Sequence, residues 1–260
     1  MPPTTTWSTL TQPLSASTST VAGVAFVRDT FSGEAAGTNL NAHTGELGAT
    51  WAKNPFVNGD IRISSAARIY HATGIDGSFY NASGTTGADY RVIATLHRLS
   101  TLPTGIADVL ARVSATTDTR YGARYSAVTP GPGWSLYKVV RGTAAGLGVA
   151  SGETLAVGDS RQVVLEVSGT SVRLYVDGVE RVGATDSAIT LAGRAGVSLA
   201  TVVGAQGADA TGLQFDNLTA ESLPSIVTTF ALTPAWTARL GASTAWATTS
   251  GASTAWSALT

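Results

Sequence analysis

Apolar and polar residues alternate along much of the middle of this chain. Asp60-Ile61-Arg62-Ile63-Ser64 alternates at every position, and Tyr90-Arg91-Val92-Ile93-Ala94-Thr95-Leu96 follows with more β-branched weight. A period of two places successive side chains on opposite faces of an extended strand. The pattern returns over Ile106 to Val113, Arg120 to Tyr125, Trp134 to Val140 and Arg161 to Val167. Ser171 to Val176 then leads through Asp177-Gly178 into Val179 to Val182, and Ala195 to Leu199 and Gly212 to Leu218 close the series. Asp-Gly between alternating runs predicts a two-residue hairpin, because both central residues of a type I′ turn need positive φ. No segment sustains an apolar stripe at the helical period. Ala107 to Ala111 fits one helical turn, but its flanks read as strand. Many short strands separated by turn residues predict an all-β fold, an antiparallel two-sheet jelly-roll sandwich.

The ends break this pattern. Residues 1–27 form a Thr/Ser/Pro-rich N-terminal arm that finishes in a short β-like run, Val21 to Val27. Residues 28–222 carry the alternating strands of the body. Residues 223–260, opening at Leu223-Pro224, form a C-terminal arm in which Trp236, Trp246 and Trp256 recur every ten residues, each after an alanine. Trp7-Ser8-Thr9-Leu10-Thr11 nearly repeats Trp256-Ser257-Ala258-Leu259-Thr260. An even repeat points all three indoles to one side of an extended chain. Arms of small residues cannot build a core, and an indole is a large apolar group to leave in water. Trp7, Trp236, Trp246 and Trp256 are therefore expected to dock on a partner: another protein, a second copy of the chain, or the body itself.

Composition narrows the function classes. Hydrophobic residues make up 43%, enough for a core, while charged residues make up only 13%, well below the usual quarter. A formal net charge of -1 and a pI near 6.3 supply no basic footprint for nucleic acid or an anionic membrane. No apolar run is long enough to span a bilayer. The absence of cysteine excludes disulfides, thiolate catalysis and Cys-type zinc sites. Met1-Pro2-Pro3-Thr4 lacks the basic-then-apolar layout of a secretory signal, so assembly in a host cytoplasm is expected.

Several motifs fall in a familiar order. Asp29-Thr30-Phe31, then Asn39-Leu40-Asn41-Ala42-His43-Thr44 and Trp51, resembles the opening of a domain common in bacteriophage structural proteins. Tyr121-Gly122-Ala123-Arg124-Tyr125, Trp134-Ser135-Leu136-Tyr137-Lys138, Leu174-Tyr175-Val176-Asp177-Gly178-Val179, Gly193-Arg194-Ala195-Gly196 and Phe215-Asp216-Asn217-Leu218 follow. Over residues 29–222 the chain is similar to the concanavalin A-like lectin/glucanase superfamily, in its laminin-G-like branch. The resemblance implies a body that binds glycans or proteins through its loops or concave sheet, and a place on a phage tail, fibre or head.

Catalytic signatures are absent. Retaining glucanases of that superfamily carry Glu, Asp and Glu at alternating strand positions, and none of Glu34, Glu46, Glu153, Glu166, Glu180 and Glu221 begins such a run. His43, His71 and His97 are isolated, without metal-ligand spacing. No Gly-x-Ser-x-Gly marks a nucleophile. The glycines of 142–148 and 204–212 lack the Gly-Lys-Ser/Thr end of a phosphate loop and read as hairpin turns. No cofactor and no metal are expected. Calcium is the one ion the loops would suit, through turn residues such as Asp76, Asp89, Asp118, Asp186, Asp209 and Asp216. A glycan site needs an exposed aromatic, for which Tyr121, Tyr125 and Trp134 are the leading candidates, with Tyr137, Tyr70, Phe79 and Tyr80 behind them. The reading is a non-enzymatic virion structural protein of a tail or fibre. Its arms contact other virion proteins or build a homo-oligomer, and its body contacts host cell-surface glycan. A head decoration protein, a carbohydrate-binding module and, last, a glycan hydrolase are the alternatives.

Overall fold

The structure, a computed structural model, describes residues 15–84, 87–100, 105–128, 132–201 and 208–231. Strands β1 (Ser15–Val21) and β2 (Ala25–Asp29) precede a single 3-10 turn, Leu40–Ala42. Then come β3 (Trp51–Lys53), β4 (Asp60–Ile63), β5 (Ile69–Thr73), β6 (Asp76–Asn81), β7 (Tyr90–Arg98) and β8 (Gly105–Val113). β9 (Arg120–Ser126), β10 (Gly133–Val140), β11 (Thr143–Ser151), β12 (Ser160–Ser168) and β13 (Ser171–Val176) follow. β14 (Val179–Thr185), β15 (Arg194–Thr201), β16 (Leu213–Ser222) and β17 (Ser225–Ala231) are the last of the described strands.

Two compact units result. One contains the antiparallel ribbon of β1 and β17, in register from Ser15 opposite Ala231 to Val21 opposite Ser225. The other, Gly23–Leu223, is the body. The expected run Val21 to Val27 is split between them. Val21 ends β1, Ala25 opens β2, and between them a side chain on Gly23 would overlap the Ser222 carbonyl.

The body is all-β and antiparallel. One sheet has the order β11-β10-β9-β8-β15-β6-β3. The other has the order β14-β13-β12-β7-β16-β5-β4, with β2 also paired to β16. Inner-face residues of both sheets form one core cluster. It includes Val92, Ala94 and Leu96 of β7, Ala107, Val109 and Ala111 of β8, and Leu165 and Val167 of β12. Burying each large aliphatic or aromatic side chain there is worth about 1.5–3 kcal/mol.

Turn chemistry follows the sequence. Asp177 (φ 50°) and Gly178 (φ 78°) join β13 to β14 with positive φ at both positions, the type I′ geometry expected of Asp-Gly. Arg141 (φ 50°) and Gly142 (φ 83°) join β10 to β11 in the same way. Gly146 and Gly148, expected to lie in turns, instead sit inside β11.

The opening motif is a buried joint. Asp29 accepts hydrogen bonds from Trp51 Nε1 at 2.6 Å, from His43 Nε2 at 2.9 Å and from the Phe31 amide at 2.6 Å. The Phe31 ring lies 5.9 Å from that of Trp51 and 6.1 Å from that of His43. All four side chains are buried. The motif thus ties the long β2–β3 connection onto the core, so its residues are spent on structure.

Candidate ligand-binding face

The two sheets present different outer faces. On the eight-stranded sheet, Arg173 lies opposite Glu166, Glu166 opposite Arg91, and Arg91 opposite Glu221. Arg91 Nη2 sits 2.5 Å from Glu221 Oε1. This is a solvated ladder of alternating charge that contributes little to stability.

The outer face of the seven-stranded sheet is built otherwise. On β9 the apolar phase Tyr121, Ala123, Tyr125 turns inward, so Gly122 and Arg124 point out. Cross-strand register then lines up Ser78, Ser198, Asp108, Arg124 and Ser135 in one row across five strands. Ser78, Ser198 and Asp108 are buried although they face outward, while the Arg124 side chain keeps 34% of its exposure. A parallel row runs Tyr80, Gly196, Leu110, Gly122, Tyr137. On the other side lie Asp76, Ala200, Ile106 and Ser126.

Asp108 is the hub. It accepts from Arg124 Nε at 2.8 Å, Arg124 Nη2 at 2.9 Å and the Tyr137 hydroxyl at 2.7 Å. The Arg124 guanidinium also lies 4.4 Å from the Tyr137 ring centroid. Burial, then the Asp108 charge, pushes the Tyr137 phenol far above its ordinary range, so it stays a donor. Burial opposes the charge on Arg124, but Asp108 outweighs it and holds the guanidinium protonated. Asp76 accepts from Ser198 Oγ at 2.9 Å. Burial raises its pKa above 3.8, the Ser198 bond opposes this, and the Asp108 charge adds to it. Ser78 Oγ is buried and has no hydrogen-bond partner among the described residues. At the solvent side of the row Arg124, held in place by the buried Asp108, supplies a planar cationic donor, and Ser135 a hydroxyl that both donates and accepts, with the buried Ser78 and Ser198 in the same row. Such a set suits a hydroxyl-rich ligand.

No family model and no curated protein sequence matches the chain. Solved structures do match it. A Bacillus subtilis protein with a galectin-like fold is similar with a TM-score of 0.56 at 9% identity, over 78% of this chain and 98% of that one. A carbohydrate-binding module, CBM66, of Bacillus subtilis is similar with a TM-score of 0.54 at 18% identity, over 67% and 96%. A Bacillus licheniformis β-glucanase gives 0.51 at 10% identity, over 78% and 98%. The body shares the antiparallel two-sheet jelly-roll fold of these structures.

Within this jelly-roll body, the aromatics expected to stack on sugar prove to be core. Tyr121, Tyr125 and Trp134 are at most 1% exposed, and the Tyr125 and Trp134 rings pack 4.9 Å apart. Tyr121 donates to Asp186 Oδ1 at 2.7 Å, and Tyr125 Oη accepts from the Leu155 amide at 2.9 Å. Their even spacing does put Tyr121 and Tyr125 on one face, but that face is the inner one, where no glycan reaches. Phe79 is core as well, whereas Tyr137 and Tyr80 belong to the outer face. The sequence reading singles out none of Ser78, Asp108, Arg124 and Ser198 for this face, and takes Asp76 only as a turn residue suited to calcium. The signal for them lay in the strand phase, since residues alternating with buried apolar ones must face out.

The histidines are kept apart in separate roles. His43 serves the Asp29 joint, His71 is buried on β5, and His97 Nε2 lies 2.9 Å from Asp216 Oδ2. The six turn aspartates are all engaged: Asp76 by Ser198, Asp89 by Arg112, Asp118 by Arg120, Asp186 by Lys138, Asp209 by Ser65 and Asp216 by His97. Among the described residues no group of three or more His, Asp or Glu side chains is placed to hold a metal ion. Trp7, Trp236, Trp246 and Trp256 lie outside the described residues.

Proposed function

We propose that this chain is a non-enzymatic, glycan-binding structural protein of a bacteriophage particle, with the outer face of the seven-stranded sheet as its ligand surface. The observation that carries the reading is the row Ser78, Ser198, Asp108, Arg124, Ser135, flanked by Asp76 and Tyr137. A saccharide presents closely spaced hydroxyls, each a donor and an acceptor, and the row offers partners of both kinds. A carbohydrate-binding module among the structures that share the fold supports the same reading. A glycosidase needs two working carboxylates beside the scissile bond. On this face Asp108 is already committed to Arg124 and Tyr137, which favours binding over turnover.

The arms supply the attachment. Ser15 pairs with Ala231, so segments 1–14 and 232–260 continue from the same end of the ribbon, and those segments carry the four tryptophans. Tail or fibre is the preferred location, where a glycan-binding body meets a host surface.

The test is a glycan array probed with the full chain and two variants. Ser135→Trp fills the end of the row beside Arg124 and is expected to weaken binding by at least about tenfold, with unchanged thermal stability. Gln162→Trp, at an exposed position of β12 in the other sheet, is expected to leave binding intact. Binding indifferent to Ser135→Trp, or no glycan bound at all, removes the reading.

A further inference from the structure

A second feature lies where β8, β9, β10 and β15 end. There the segment 188–193, the turn after β8 and the Val140-Arg141 corner line an open cavity of about 820 Å³, within the range of small-molecule sites. Val113 and Arg194 line it. Val113 also belongs to the outer-face cluster with Tyr80, Leu110 and Tyr137, and the Arg194 guanidinium lies 5.1 Å over the Tyr80 ring. The cavity thus adjoins the sheet face but has its own chemistry.

That chemistry is basic. Arg112, Arg141 and Arg194 line the cavity, and no acidic residue is among its described lining residues. Arg112 is spent internally. Its buried guanidinium donates to the carbonyls of Ala88, Gly169 and Ile189 and pairs with Asp89. Arg141 and Arg194 have no ion pair among the described residues. Arg194 stacks on Tyr80, and Arg141 is exposed with only its amide engaged, by Thr119 Oγ1 at 3.1 Å. Elsewhere in the body Arg68, Arg91, Arg120, Arg124, Arg161, Arg173 and Arg181 each meet a carboxylate, while Arg62 and Arg98 donate to Asn39 and to the Leu155 carbonyl. The acids nearest in sequence are not free to answer the pair: Asp118 is held by Arg120, and Asp186 by Lys138 and Tyr121. Ser114, Thr117, Thr119 and Thr190 also line it, with the Thr117 hydroxyl bonded to those of Ser114 and Thr119, and Leu191, 80% exposed, stands at it.

We propose that this cavity binds an acidic sugar, a pyranose bearing a carboxylate. Arg141 and Arg194 take the carboxylate through charge-assisted hydrogen bonds, the Ser and Thr hydroxyls meet the ring hydroxyls, and Leu191 covers the C–H face. The sugar part of the assignment rests on the glycan-binding reading above. The acidic class rests on the two unpaired guanidiniums alone.

Calorimetric titration of the full chain with glucuronate, N-acetylneuraminate, glucose and sodium sulfate tests it. At least one sugar acid is expected to bind about tenfold or more tighter than glucose, with affinity falling as salt rises. Arg141→Ala and Arg194→Gln are each expected to cost about tenfold, and Ser135→Trp to leave this binding unchanged. Arg141 is exposed, so its variant keeps the fold, and melting curves check Arg194→Gln. Equal affinity for glucose and both acids, indifference to the two arginine variants, or sulfate binding as tightly as the sugars each overturns the acidic-sugar assignment. Those results leave the sheet-face reading standing. Loss of all sugar binding on an array overturns both.

Discussion

His71 is a buried histidine whose two ring nitrogens find no hydrogen-bond partner among the described residues. It sits on β5 opposite Ile61, with 3% exposure. Burial lowers its pKa below 6.5, and the Asp60 charge only partly opposes this. Its contribution to stability has a definite sign. Above pH 6.5 the ring is neutral in both folded and unfolded chains, and nothing is lost. As pH falls below 6.5 the unfolded chain takes up a proton that the folded one refuses, so stability declines. The carboxylates whose pKa values are lowered, Asp60, Asp186 and Asp216 among them, act only further down, below about pH 4. Replacing His71 by Leu is expected to flatten the melting temperature between pH 6.5 and 5. At pH 7.5 it should add about 1 kcal/mol by removing unsatisfied polar atoms. Urea denaturation across that range checks both. Little of this was legible in the sequence, where His71 is one isolated histidine among three. Asp29, His43 and Trp51 were legible as a motif, but their spacing carried no hint that one buried carboxylate joins them.

At the scale of elements, alternation placed the strands well and their faces poorly. Every alternating run named from the sequence has a counterpart, and the Asp177-Gly178 turn has the conformation its residues demand. A period of two says which side chains share a face. It does not say which face is the core when both are buried, as on β8, where Ala107 and Asp108 are each 1% exposed. That is why the Tyr121 and Tyr125 pair, correctly put on one face, was assigned to the wrong side. The cross-strand rows carry the function-bearing information, and register is a tertiary property that one strand's sequence does not contain. Gly122 makes the point quantitative. It lies opposite Tyr137, and a methyl group there would overlap the Tyr137 ring that donates to Asp108. Gly122→Ala is therefore expected to cost about 1–3 kcal/mol through overpacking, read by urea unfolding. It should also weaken glycan binding, because the displaced phenol no longer holds Asp108 in place. Ala123→Gly, one position along on the inner face, leaves the outer row intact and is expected to lower stability without changing binding.

For the molecule as a whole, the core and the tryptophan repeat make separate claims. All described residues of the core cluster lie between Val27 and Ala220, inside the body Gly23–Leu223. That described cluster is continuous within the body, so the body has the apolar content to fold on its own. A single domain of this size, with one continuous core, is expected to unfold cooperatively. A chain of residues 23–223 should therefore melt in one transition, within a few degrees of the full protein, and keep its sugar binding. The arms answer to a different measurement. If the indoles at 7, 236, 246 and 256 anchor the body, the truncated chain should be absent from purified particles while the full chain is incorporated. Trp236, Trp246 and Trp256 point to one side when extended, so changing all three to Ser should match the truncation, whereas one change should lose only part of the incorporation. Particles that take up the 23–223 chain as well as the full one would show that attachment resides in the body. The repeat would then need a role unconnected with docking.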